Sequence, residues 1–140
     1  MRTKRALLGA VGTTTLLLAS ALASGTAGAA TSATTAVSPT TSPAVRSELL
    51  PAGAGITCNS GEFCASVFDP AAGRFRVFHF YNCARYSLSN WNDWGEAQNS
   101  QTGSAVARTY GSAGNELAAY PANGNVYAAH WSPVYSIRNC

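Results

Sequence analysis

Arg74-Phe75-Arg76-Val77-Phe78-His79-Phe80-Tyr81-Asn82-Cys83 is the stretch that decides the fold of this chain. Phe75, Val77, His79, Tyr81 and Cys83 fall on one side of an extended backbone, and Arg74, Arg76, Phe78, Phe80 and Asn82 on the other. That period of two is the signature of a β-strand. Both sides are aromatic beyond Arg76, so the strand is expected to run through the centre of the structure. Just upstream, Asp69-Pro70-Ala71-Ala72-Gly73 reads as a turn. It ends a second alternating run, Gly61 to Phe68, in which Phe63, Ala65 and Val67 oppose Cys64, Ser66 and Phe68.

Downstream, Ala105 to Tyr110, Glu116 to Tyr120, Val126 to Trp131 and Val134 to Cys140 read as further strands. Gly111 to Gly114, Pro121 to Asn125 and Ser132-Pro133 separate them, and Asn123-Gly124 is a strong hairpin signal. Helical periodicity is scarce. A loose internal repeat adds to the pattern: Phe68 precedes Gly73, Tyr110 precedes Gly114, and Trp91 precedes Trp131 by forty residues. Short strands in two similar halves predict an all-β domain, a small disulfide-stapled β-sandwich of two Greek keys.

The N-terminal third reads differently. Arg2, Lys4 and Arg5 precede an apolar run from Ala6 to Ala23, then the small residues Thr26 to Ala30. This is the layout of a signal peptide over residues 1–29. Residues 30–55 are dominated by Ser, Thr, Ala and Pro with little to bury, and are expected to form a flexible linker or pro-segment. The working domain is then expected at 56–140, a secreted, extracellular unit with no membrane attachment once the leader is removed.

Charge narrows the partners. Nine basic against six acidic residues give +3, which the leader's three cations account for. The remainder is near neutral and has no lysine, so neither nucleic acid nor anionic lipid is indicated.

Cys58, Cys64, Cys83 and Cys140 all lie in the domain, where export favours two disulfides. Three pairings are possible. The Asn59-Ser60-Gly61-Glu62 turn favours Cys58 with Cys64, leaving Cys83 with Cys140. Zinc is the competing use of four cysteines, but neither a C-x-x-C pair nor a histidine at ligand spacing accompanies them.

Templates for catalysis find little purchase. His79 and His130 have no G-x-S-x-G elbow to serve. His79, among aromatics in mid-strand, reads as a hydrogen-bonded core imidazole. Asp69, Asp93, Glu96 and Glu116 show no spacing that marks a glycosidase pair. No catalytic residue and no metal ligand is therefore assigned, and the chain is read as a binding protein rather than an enzyme. What stands out is an aromatic and amide cluster: Tyr86, Trp91, Asn92, Asp93 and Trp94, then Gln98, Asn99 and Gln101. Exposed tryptophan beside amides suits a protein partner or a sugar ring.

Cys58-Asn59-Ser60-Gly61-Glu62-Phe63-Cys64 resembles the C-x-x-G-x-[FL]-C opening of the small secreted bacterial peptidase inhibitors of family thirty-six, which have a βγ-crystallin-like fold. The resemblance continues through Phe68 to Gly73, Cys83 to Leu88, Asn99 to Thr102 and Trp131 to Arg138, and covers Cys58 to Cys140. It implies a reversible, monomeric inhibitor of extracellular metalloproteinases, thermolysin-like zinc enzymes above all, with no cofactor of its own. A crystallin-type calcium motif is only half matched: Asn92-Asp93 supplies its first pair, but Glu96-Ala97 stands at its end, so calcium is not expected.

An inhibitor presents ordered backbone to a protease cleft, which lowers the entropy lost on docking. A bulky apolar residue must be on offer. The candidates are Phe63, Phe68 and the segment after Cys83, and the expectation falls on Tyr86, Leu88, Trp91 and Trp94, because that segment is aromatic, follows a cysteine and looks non-strand. The rival reading is a carbohydrate or cell-wall binding module, which would need coplanar exposed aromatics. An extracellular interaction protein without inhibitory activity is the third.

Overall fold

The structure is a computed structural model and describes residues 35–140. The expected signal peptide lies outside the described residues. Ten strands carry the described chain: β1 (Thr40–Ser42), β2 (Arg46–Leu49), β3 (Phe63–Asp69), β4 (Arg74–Phe80), β5 (Arg85–Ser89), β6 (Trp94–Asn99), β7 (Val106–Tyr110), β8 (Glu116–Pro121), β9 (Val126–His130) and β10 (Ser136–Arg138). They form two antiparallel five-stranded sheets, ordered β1-β5-β10-β7-β8 and β2-β4-β3-β6-β9. The molecule is therefore the small all-β sandwich that the alternating runs predict.

The strand order is a double Greek key. In the first, β3 and β4 form a hairpin, β5 crosses to the opposite sheet, and β6 returns beside β3. In the second, β7 and β8 pair, β9 crosses, and β10 returns beside β7. Each key thus lends its third strand to the other's sheet, beside the other's fourth. This exchange makes each half incomplete without its neighbour.

Between the sheets lies a core of Phe63, Val67, Phe78, Phe80, Tyr86, Trp91, Tyr120, Trp131 and Ile137 with several alanines. Phe78 and Phe80 point into it as the alternation of β4 requires. Val77 and His79 point the other way, where Ile56, Cys64 and Val77 make a second, smaller cluster under the chain leading to β3. That cover explains why both sides of β4 are aromatic or apolar.

Three expectations are corrected. Residues 30–55 do not all behave as a linker: β1 pairs with β5, and β2 pairs with β4 in full register. The domain therefore starts before Ile56. The composition misled because an edge strand needs backbone partners more than large side chains, and the remaining anchors are few: Val45 packs on the core, Ser38 Oγ donates to Asp69 Oδ1 at 2.9 Å, and Trp91 Nε1 donates to the Thr40 carbonyl at 2.9 Å.

The second correction concerns the segment Tyr86 to Trp94, expected to be non-strand: Arg85–Ser89 forms β5, and β6 begins at Trp94. Arg85–Ser89 alternates exposed with buried or half-buried positions, so its period is two, but only Tyr86 and Leu88 are apolar. The third is one of ends: Arg74–Cys83 leaves the sheet at Phe80, and Val134–Cys140 contributes only Ser136–Arg138.

The disulfides join Cys58 to Cys64 and Cys83 to Cys140, with Cα separations of 5.6 and 5.4 Å, and leave no free cysteine. Two such bridges point to an oxidising environment. No helix of the described residues is long and apolar enough to cross a membrane.

Candidate functional site

On the outer face of the sheet β2-β4-β3-β6-β9, the end away from the disulfide Cys58–Cys64 is left uncovered. Phe75 of β4 stands opposite Phe68 of β3, their rings 5.7 Å apart and edge-on. Trp94 of β6 stands opposite His130 of β9, and these rings stack at 4.8 Å with planes 21° apart. Trp94 is 63% exposed, and Phe68 and Phe75 are each 41% exposed. Strands pair at a spacing of about 4.8 Å, so side chains one strand apart on a face are close neighbours. Phe75 and Trp94 line one shallow cleft of about 250 Å³ with Leu50, Ala54, Ser66 and Glu96. A second depression beside it adds Phe68 and Arg74. Glu96 is tied to the rim, where its carboxylate accepts from the Ile56 N–H at 3.2 Å.

The turn between Phe68 and Phe75 is held from below. Asp69 is fully buried, and its carboxylate accepts from Arg76 Nε at 2.9 Å, Ser38 Oγ at 2.9 Å, the Ala71 N–H at 3.0 Å and the Ala72 N–H at 3.3 Å. Burial alone would push this carboxyl up, but the donors from Arg76, Ser38, Ala72 and Ala71 outweigh it and hold the group below its ordinary value. Gly73 closes the turn at φ 64°, a left-handed conformation that favours glycine. Phe68 thus projects from backbone that has little freedom left.

The four residues expected to meet a protease do not come together on the surface. Tyr86 is buried, its hydroxyl donating to the Asn82 carbonyl at 2.8 Å and its ring 4.9 Å from Phe80. Trp91 is buried against Phe78 at 4.7 Å and Trp131 at 5.1 Å. Leu88 is half-buried and packs on the same core. Only Trp94 remains accessible. Tyr86, Leu88 and Trp91 are corrected to core positions, because they are the inward residues of β5 and of the connection after it. Phe63, another candidate, is fully buried, which leaves Phe68 as the exposed one of the named alternatives.

Phe75 and His130 were not expected to join Trp94. The signal for Phe75 was its place flanking the turn symmetrically with Phe68; nothing local marks His130, which reaches Trp94 only through the pairing of β6 with β9. Of the amides, Asn99 is buried and structural, and Gln98 donates to the Gly124 carbonyl at 2.9 Å. Asn90 and Asp93 carry φ of 62° and 59°, and both are residue types that tolerate this region.

His79 is the buried, hydrogen-bonded imidazole that its surroundings suggested. Nδ1 lies 2.9 Å from Glu62 Oε2, and Nε2 lies 3.2 Å from Glu48 Oε1. At Glu62, burial acts upward on the carboxyl, and the hydrogen bond and charge of His79, with Arg46, bring it below its ordinary value. Compared with known proteins, the chain matches no family model, no curated protein and no solved structure. Fold and surface together define a small disulfide-bonded β-sandwich with an exposed aromatic patch.

Proposed function

We propose that this protein is an exported, monomeric inhibitor of extracellular thermolysin-like zinc metalloproteinases, released after removal of residues 1–29, and that it meets its target through Phe68 and the Asp69–Gly73 turn. The observation that carries this reading is Phe68 itself, a bulky apolar side chain, 41% exposed, attached directly to a buried residue held by four donors. A protease of this class takes a large apolar residue after the scissile bond, and a pre-ordered backbone loses less entropy on entering the cleft. Trp94 and Phe75 extend the apolar contact beside it. The resemblance of Cys58 to Cys64 and of the later motifs to peptidase inhibitors supports the same target class.

Mixing the oxidised protein with a thermolysin-like protease, a subtilisin and a trypsin tests it. Stoichiometric loss of the metalloprotease rate alone is expected, weakened at least tenfold by Phe68→Ala. Full inhibition by Phe68→Ala, or none by the parent, would refute it.

One observation favours a second reading. The near-parallel stack of Trp94 on His130 offers a flat platform of the kind a sugar ring covers. Retention on insoluble chitin or peptidoglycan, abolished by Trp94→Ala and accompanied by no protease inhibition, would replace the inhibitor with a glycan-binding module.

A further inference from the structure

At the covered end of the same sheet, the bridge Cys58–Cys64 lies against a histidine and a carboxylate. Cys64 and His79 are direct cross-strand partners in β3 and β4, which sets His79 Nδ1 3.4 Å from Cys64 Sγ. Glu62 Oε2 lies 3.8 Å from the same sulfur, and both cysteine sulfurs and a Glu62 oxygen fall within 4.8 Å of one another. On the far side of the ring, His79 Nε2 faces Glu48 Oε1 at 3.2 Å. Fifteen residues separate Cys64 from His79, so no ligand spacing in the sequence announces the group.

We propose that reduction of the Cys58–Cys64 bridge converts this cluster into a binding site for zinc or a similar divalent metal, with Cys58, Cys64, His79 and Glu62 as ligands. Zinc takes thiolate at about 2.3 Å and imidazole or carboxylate at about 2.0–2.2 Å, which puts tetrahedral sulfur–nitrogen and sulfur–oxygen neighbours about 3.5 Å apart. The 3.4 Å and 3.8 Å separations already stand near that value. Metal binding takes the tautomer with the ring proton on Nε2, donated to Glu48; Nδ1 then gives up its 2.9 Å hydrogen bond to Glu62 Oε2 and turns a lone pair to the metal that both would share. Such a carboxylate behind a metal-binding histidine orients the ring and raises its basicity. Arg46, 3.4 Å from Glu62, offsets part of the negative charge. Cys64 and His79 are buried, so little water competes at those ligands.

The chemistry balances with a dithiol reductant. Its two thiols deliver two electrons and two protons to the S–S bond, the reductant leaves as its own disulfide, and Cys58 and Cys64 become thiols. Binding of M²⁺ then displaces their two protons. Thiol–disulfide exchange with a small disulfide, which accepts the two electrons and, with two protons from water, leaves as two thiols, reforms the bridge and releases M²⁺, so the oxidised protein carries no thiolate for it.

Cobalt(II) is the probe. The full chain, reduced with a phosphine and titrated under argon, is expected to bind one Co²⁺ with thiolate-to-cobalt charge-transfer absorption and intense tetrahedral d–d bands. The oxidised protein is expected to show neither. The spectrum should survive Cys83→Ser/Cys140→Ser and vanish in Cys58→Ser/Cys64→Ser. His79→Gln should change the d–d envelope. Glu48→Gln, a substitution at an exposed position that leaves the ligands in place, should weaken binding about 10–100-fold. Absence of charge-transfer bands in the reduced protein, dependence on Cys83 and Cys140 instead, or unchanged spectra and affinity in both His79→Gln and Glu48→Gln would overturn the proposal.

Discussion

Asn99 and Asn139 are fully buried forty residues apart and make the same bond in opposite halves of the sandwich. Asn99 Nδ2 donates to the Tyr120 carbonyl at 2.7 Å, and Asn139 Nδ2 donates to the Phe80 carbonyl at 3.2 Å. Tyr120 and Phe80 are also forty apart. Asn99 ends the fourth strand of one Greek key, Asn139 directly follows the fourth strand of the other, and each reaches the second strand of the opposite key, so the two keys are latched by a reciprocal pair.

Replacing either latch by alanine strands a buried carbonyl without its donor. Unsatisfied buried groups cost about 1–3 kcal/mol. Asn99→Ala and Asn139→Ala are each expected to lose that much in urea unfolding with an unchanged m-value. Because they sit in separate halves, the double variant should show a nearly additive loss.

Gly95 lies between β3 and β9, under the Trp131 indole, whose Nε1 donates to the Ser66 carbonyl at 2.7 Å. A Cβ at Gly95 would meet that carbonyl and that indole. Gly95→Ala should cost about 1–3 kcal/mol from overpacking, plus whatever the displaced buried hydrogen bond contributed. Thermal unfolding checks the loss, and a red shift of Trp131 emission in the folded variant would report the displaced indole.

Asp69 predicts an acid limb. Its carboxyl sits below the ordinary 3.8 in the folded chain, so the unfolded chain binds its proton first as pH falls. The stability it contributes is complete above the unfolded value and is lost as pH drops through the folded one. Asp69→Asn should be about 2–3 kcal/mol less stable at neutral pH, below the 3–5 of a fully buried pair, because Arg76 is partly exposed. The gap between variant and parent should narrow on acidification, as read by urea unfolding across the acid range.

The two bridges differ in loop length, with sequence separations of 6 and 57 residues. Loop-closure entropy assigns about 2 kcal/mol to the short one and about 4 kcal/mol to the long one. Cys83→Ser/Cys140→Ser should therefore unfold at markedly lower denaturant than Cys58→Ser/Cys64→Ser.

Trp94 alone among the three tryptophans is accessible, at 63% against 4% for Trp91 and none for Trp131. Acrylamide should quench one component of the fluorescence strongly, and Trp94→Phe should remove that component without lowering stability. Persistent strong quenching in the variant would contradict this placement.

Strands β3 and β4 were legible because alternation with large apolar residues leaves no other way to hide them, β7 to β10 because turn residues set off short alternating runs, and the turn between Cys58 and Cys64 favoured their pairing over the two alternatives. Strands β1, β2, β5 and β6 were not, since Ser, Thr and amide side chains carry no periodic hydrophobic signal and these strands hold their places through backbone ladders. The same reason moved the candidate surface. Whether Trp91 or Trp94 faces solvent depends on the turn at Asn90 and Asp93 and on which strand crosses to the other sheet.

By itself, the sequence determined the class of the domain, its central strands, a preferred pairing of its four cysteines and the placing of one tryptophan forty residues before another. Only the tertiary structure decided which aromatics stay outside, how each key lends a strand to the other, and that His79 stands beside a disulfide. Local alternation says that a side is buried but not against what, because strand order and sheet exchange are set by contacts between residues far apart in the chain.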